Sequence, residues 1–396
     1  MLLASLVLSS CAGVSDTPSD PSLGSKSDVS ISTGVMDYSA DVEEDPGFYD
    51  PSSTSDVSQD EKYDAVFLNI SIDAFLSAGF KFGDSCDIVF SNGLSFEDIP
   101  FYNGYYVRSG MPLIVGYPGY KFIAVTCNNE GLWTKANLKN GDNATVSLRE
   151  AGKYADVQEA LSQSYSNDRS AYSSDIEFAN FRALTGGKIK ADYIFRGASP
   201  VDNTKNRASY SNALIEESEI AFILDLADSE ADVKGYFADP AFASTYAKDL
   251  IENGKAALLG MSSNYGSDAY KEKLASGLRQ MLLSDGRIYV HCLEGKDRTG
   301  FVCMLLEALC GASYDEMLSD YMKTYDNYYS VSAEKTPEKY AAIVDLYFNA
   351  FASYLHGTED MEELKTADYQ IDAEHYLLSA GMTQNEIDSL IKLLTE

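Results

Sequence analysis

Chemistry concentrates between Ile288 and Gly300, where the run His291-Cys292-Leu293-Glu294-Gly295-Lys296-Asp297-Arg298-Thr299-Gly300 joins an apolar strand-like segment to the apolar helix-like segment that starts at Phe301. A loop between a strand and a helix N-terminus turns successive backbone N–H groups toward one point, a cradle suited to phosphate oxygens. Gly295 permits the tight curvature. Arg298 is spaced to hold two equatorial oxygens in a fork. The amides, the helix dipole and the cations Lys296 and Arg298 all favour the thiolate of Cys292, the nucleophile of covalent phosphoryl transfer. Thr299 is placed to donate a hydroxyl hydrogen bond to that thiolate, and His291 to brace the loop rather than act as a base. Leu293 and Glu294 complete the phosphate-binding loop, Glu294 bringing a negative charge into it.

Such chemistry needs an acid to protonate the leaving oxygen, and it must be an Asp or Glu close to the loop. Asp297, inside the loop, has proximity guaranteed by its position. Asp225 and Asp228 end a neighbouring apolar run, and strand ends on the carboxyl side face the crevice of an α/β sheet. Asp268, after Ser267, is a further candidate that reads equally well as part of a helix start. Cys303 and Cys310, seven residues apart after the loop, read as core thiols.

The elements that position these residues follow from periodicity. Apolar runs at 193–195, 221–224, 256–259 and 288–290 alternate with helical stretches near 211–218, 241–252 and 267–284, the pattern of an α/β domain with a mainly parallel sheet. After residue 298 the chain reads as entirely helical, and Thr383 with Glu386 forms a capping box that opens the last helix.

From about Asn180 onward the chain resembles a bacterial tyrosine-phosphatase family whose HCxxGKDRTG loop is shared by protein-tyrosine and phosphoinositide phosphatases. Beyond the loop, Asn180-Phe181-Arg182 with Gly186-Gly187, Phe195-Arg196-Gly197-Ala198 and Ile223-Leu224-Asp225-Leu226 are similar to that family's segments, as is the helix from Ser313 to Tyr325. The family usually carries Arg after the last of the strands, where this chain has Ala227. The resemblance implies a protein-tyrosine-phosphatase fold, a phosphocysteine on Cys292, and Arg298 holding the phosphoryl group. It places Asp297 as the acid, and gives Lys296 the position that accompanies action on phosphoinositides. Arg196 joins the phosphate-binding set, although it and Arg182 read equally as buttresses of the sheet edge.

Upstream, the runs 86–90, 105–107, 112–117, 122–127 and 144–148 are short, apolar and broken by Gly, Asn and Pro, which predicts a small antiparallel β barrel or sandwich over 61–150. Cys86 and Cys127 lie on two of these strands, either bridged or as buried thiols. Residues 12–60 hold twelve Ser and four Pro and are strongly acidic, a composition that reads as a disordered tether. Residues 2–10 are an apolar run ending at Cys11, resembling the lipobox of bacterial lipoproteins, with no basic residue before it. The expected organisation is therefore a signal segment over 1–11, a tether over 12–60, the β domain over 61–150 and the α/β domain over 151–396.

The whole-chain composition narrows the function. A formal charge of -31 repels nucleic acid and anionic lipid, so membrane contact is expected only through an N-terminal lipid on Cys11. With three histidines and no CxxC pair, no metal site and no cofactor are expected. The reading that results is an exported, envelope-anchored or secreted phosphatase acting on phosphotyrosine, with phosphorylated lipids or small molecules also within its range. An inositol polyphosphate phosphatase and a non-catalytic phosphate-binding module are the alternatives.

Overall fold

The computed structural model describes residues 30–32, 57–61 and 63–396. The described residues fall into two compact units, one ending at Gln163 and the other running Ser164–Glu396. The first is β-rich. Its strands are β1 (Ser30–Ser32), β2 (Ser58–Asp60), β3 (Ala65–Phe67), β4 (Ser85–Phe90), β5 (Ser95–Tyr102), β6 (Pro112–Val115), β7 (Ala124–Cys127) and β8 (Ala144–Glu150). They form one eight-stranded sheet in the order β1-β8-β4-β5-β6-β7-β3-β2. Phe75, Phe80, Ile88, Phe101, Ile114 and Val146 are among the side chains that fill its core.

Five features differ from the sequence-based expectation. The sheet is not wholly antiparallel, because β5 and β6 pair in parallel. The connection between them uses residues 103–111, so the expected 105–107 strand is loop: Tyr105 hydrogen-bonds Tyr120 instead of joining a ladder. β5 itself was hidden in the sequence by Pro100 and by Asp98, whose backbone is left-handed (φ 57°). Residues 151–163, expected with the following domain, pack on the β-rich unit, where Tyr154 donates to Asp98 and Gln158 to Asn103. Within the expected tether, β1 pairs with β8 and β2 with β3. The rest of that segment up to residue 56, together with residues 1–11 and Cys11, lies outside the described residues. Cys86 is a buried free thiol, unbridged to Cys127, and burial ahead of the charges of Asp84 and Asp87 pushes its pKa up.

The second unit carries a five-stranded sheet of β9 (Arg182–Ala183), β10 (Ile194–Gly197), β11 (Ile220–Asp225), β12 (Ala256–Leu258) and β13 (Arg287–His291). The order is β12-β11-β13-β10-β9, parallel throughout except for β9 at one edge. β10, β11 and β13 are almost continuously buried, as strands covered on both faces must be. Helices α1 (Ala208–Glu217), α2 (Glu230–Phe237), α3 (Thr245–Glu252) and α4 (Asp268–Met281) lie between strands in the chain. After β13 come α5 (Asp297–Leu309), α6 (Tyr314–Tyr329) and further helices ending with α7 (Gln384–Thr395), whose Thr383/Glu386 capping box is formed. Among the described residues no helix is long and apolar enough to cross a membrane.

Candidate active site

β13 ends at His291 and α5 begins at Asp297, so residues 292–296 form the turn between the centre of the sheet and a helix N-terminus. α5 is buried along nearly its whole length, which anchors the turn from one side. The turn is possible only with glycine at 295. Its φ is 66°, and a Cβ there would lie 2.3 Å from the Gly197 carbonyl oxygen at the end of β10.

A buried polar lattice fixes the loop from behind. Arg196 donates to the Gly295 carbonyl at 2.8 Å and pairs with Asp320 of α6. Arg182 donates to the same carboxylate at 2.6 Å. The Asn180 amide donates to the carbonyl of Gly295 at 3.2 Å, while its own oxygen accepts from Arg182 at 2.7 Å and from Asn327 at 3.0 Å. Both terminal nitrogens of Arg196 are therefore engaged, by the loop's carbonyl and by Asp320, while its Nε has no hydrogen-bond partner among the described residues, and the side chain is only 1% exposed. Of the two roles the sequence offered it, these contacts match the buttress, since a buried guanidinium must satisfy its charge with a carboxylate at hand. Neither Asp320 nor Thr324, which accepts from Asn180 and Arg182, was legible in the sequence. Gly187, from the glycine pair, lets its segment approach the C-terminal end of α5, since a Cβ would meet the Cys310 carbonyl at 2.5 Å.

On the opposite side the polar groups are less committed. Cys292 is 4% exposed at the bottom of the loop. Thr299, in the first turn of α5, is buried, and its hydroxyl lacks a hydrogen-bond partner among the described residues. So does the buried hydroxyl of Tyr270 on α4, a residue the sequence reading missed, whose electrostatic neighbours include Cys292 and Arg298. Arg298 donates to the Met261 carbonyl at 3.0 Å. His291 is fully buried beside Asp225, with Nδ1 3.3 Å from the Cys292 carbonyl and Nε2 3.8 Å from the carboxylate. Burial, the largest influence, pushes its imidazole down to about 4, so it is neutral at pH 7.

The candidate acids divide by environment. Asp225 accepts the backbone N–H groups of Ala227 and Asp228 on one oxygen, and Asp228 accepts from Tyr236 at 3.2 Å. Burial pushes both carboxyls up to about 7, with the charge of Asp225 adding to the effect on Asp228. Asp297 is the first residue of α5, half-exposed, 3.8 Å from the Lys296 ammonium. Asp268 opens α4 behind its N-cap Ser267 and is exposed.

The side chain of Glu294 is held off the loop by the Tyr165 hydroxyl and by the Lys205 ammonium at 3.4 Å, while Tyr328 donates to its carbonyl at 2.8 Å. Leu293 offers its carbonyl to the Ser199 N–H at 3.0 Å. Cys303 and Cys310 are buried thiols that burial pushes up to about 12, away from reactivity. No cluster of His, Cys, Asp and Glu suited to a metal ion occurs among the described residues.

Residues 177–396, more than half of the chain, match the model of the tyrosine phosphatase family. The chain is also similar to the triple specificity protein phosphatase PtpB of Mycobacterium tuberculosis, at 33% identity over 120 residues. That match spans 26% of this chain and 41% of the relative's length. A thiol at the base of a glycine-dependent loop, opened by the central strand and closed by a buried helix, is the arrangement a phosphoric monoester hydrolase of this kind requires, and the chain belongs to the tyrosine phosphatase family.

Proposed function

We propose that the protein hydrolyses phosphomonoesters through a phosphocysteine on Cys292, with protein phosphotyrosine as the leading substrate and phosphoinositides second. The thiolate attacks phosphorus in line, the bond to the leaving oxygen breaks, and Asp297 delivers the proton that oxygen needs. Water then attacks the phosphocysteine, the S–P bond breaks, and inorganic phosphate leaves as Asp297 takes a proton back. The loop amides, the α5 dipole and Arg298 stabilise the charge on the phosphoryl oxygens, while His291, neutral and buried, holds the start of the loop. The observation that carries the reading is the loop itself, whose Gly295 fits only as glycine against Gly197. Lys296 and the triple specificity in the relative's name support more than one substrate class. The leader supports export, with Cys11 as the lipidated residue and the acidic stretch after it as the link to the envelope.

Cys292→Ser should abolish turnover of an aryl phosphate while leaving binding of a phosphate analogue in place, because the cradle does not need the sulfur. Retained turnover within about tenfold of wild type would exclude the covalent route. Asp297→Asn should slow alkyl phosphates far more than aryl phosphates with good leaving groups, and equal slowing would pass the acid's role to Asp228. Full-length protein should fractionate with membranes and Cys11→Ala should release it, whereas soluble wild-type protein in the cytosol would exclude anchoring.

A further inference from the structure

Around the phosphate loop the described cations are matched by acids. Lys296 lies 3.8 Å from Asp297, Lys205 lies 3.4 Å from Glu294, and Arg182 and Arg196 share Asp320. Arg298, by contrast, is held by a carbonyl. The Lys205–Glu294 pair is built with care. Glu294 also accepts from the Tyr165 hydroxyl, Tyr165 stacks on Tyr328 at 5.1 Å, and Tyr328 grips the Glu294 carbonyl. Behind them Arg207, 1% exposed, donates to the carbonyls of Lys205 and Ser166, and so ties together the two segments that hold the Glu294 carboxylate. Burial opposes the charge of Glu294, but Lys296, Tyr165 and Lys205 outweigh it and keep the carboxyl below its ordinary value.

We propose that Glu294 is a specificity determinant that acts by neutralising Lys205, so that the loop accepts a single phosphoryl group and gains nothing from a second phosphate on the same substrate. The argument is one of charge. A second phosphate next to the reacting one needs an uncommitted cation at the rim, and here the Lys205 ammonium already has the Glu294 carboxylate as its partner. Glu294→Gln keeps a hydrogen-bonding partner for Tyr165 and frees the Lys205 charge. Lys205→Gln leaves the Glu294 charge uncompensated. The two changes must therefore act in opposite directions on a bisphosphorylated ligand.

This inference rests on the phosphatase reading, and the test keeps the two apart by using a small aryl phosphate as the reporter substrate. Short-chain phosphatidylinositol monophosphate and bisphosphate, below their micelle concentrations, are measured as competitive inhibitors, and the ratio of their inhibition constants isolates the second phosphate. The Glu294→Gln variant should shift that ratio about fivefold toward the bisphosphate at low salt, and added salt should shrink the shift. The Lys205→Gln variant should shift it the other way, and the double variant should return near the wild-type ratio. Single variants that leave the ratio unchanged, or move it in the same direction, would overturn the proposal. A wild-type enzyme that does not hydrolyse the aryl phosphate would remove the reading beneath it.

Discussion

In the β-rich unit charged side chains meet at the surface. Arg149 reaches Asp87 and Glu97 at 2.8 and 3.0 Å with its own side chain 40% exposed, and Lys135 reaches Glu130 in the same exposed way. In the phosphatase unit Arg182 and Arg196 meet the Asp320 carboxylate largely out of solvent behind the phosphate loop, Arg196 also holds the loop's Gly295 carbonyl, and Arg207 is buried as well. Burying a charge is costly unless partners are arranged for it, so a fold that does so repeatedly around one loop has been shaped by what the loop must hold still. Apart from the buried Asp84, which accepts backbone N–H groups of Lys81 and Gly152, the ion pairs of the first unit lie at its surface, and the unit rests on its apolar core. The second uses charge to set geometry.

The comparison breaks most easily at Gly295. Gly295→Ala should reduce activity by about a hundredfold or more and destabilise the fold, since its Cβ would collide with the β10 backbone. Activity near wild type would mean that the loop does not need this close approach. Next comes Asp320→Ala, which strands two arginines and should cost about 3–5 kcal/mol in denaturant unfolding. A loss below about 1 kcal/mol would place this lattice in the same class as the surface pairs of the first unit.

A smaller effect is expected from pH. Asp228 has its pKa raised from 3.8 to about 7 in the fold, so the folded protein holds a proton that the unfolded chain has already released. Stability from this group is present at low pH and is lost as pH rises through that window. Asp228→Asn removes this group's share and leaves that of Asp225, which is raised in the same direction: between about pH 5 and pH 8 the wild type should lose about 1–3 kcal/mol more than the variant. His291 works in the opposite direction, its buried neutral ring losing stability as pH falls from 6.5 toward about 4, and it is common to both proteins. Parallel stability curves for the two proteins would show that Asp228 is ionised in the fold. The smallest effect belongs to Arg149→Ala, at most about 1 kcal/mol and reduced further by salt. A larger loss would show that the first unit also depends on its charges.

The sequence by itself determined the loop, its flanking strand and helix, the alternation of strands and helices from 193 to 298, and the capping box at Thr383, because each is specified by residues close together in the chain. Fixed spacing in one short segment is enough to define a phosphate cradle. It also revealed that most of the β-rich unit is made of short strands, yet it missed β5, where Pro100 and a left-handed Asp98 interrupt the period-two pattern. It placed the end of that unit too early as well, since the docking of Tyr154 and Gln158 joins residues about 55 positions apart. Only the tertiary structure assigned Arg196 to the back of the loop, paired it with Asp320 on a helix more than a hundred residues away, and turned Glu294 toward Tyr165 and Lys205. The physical reason is the same in each case: a buried or half-buried charge takes its role from whichever partner the fold brings alongside it, and no local pattern encodes that partner.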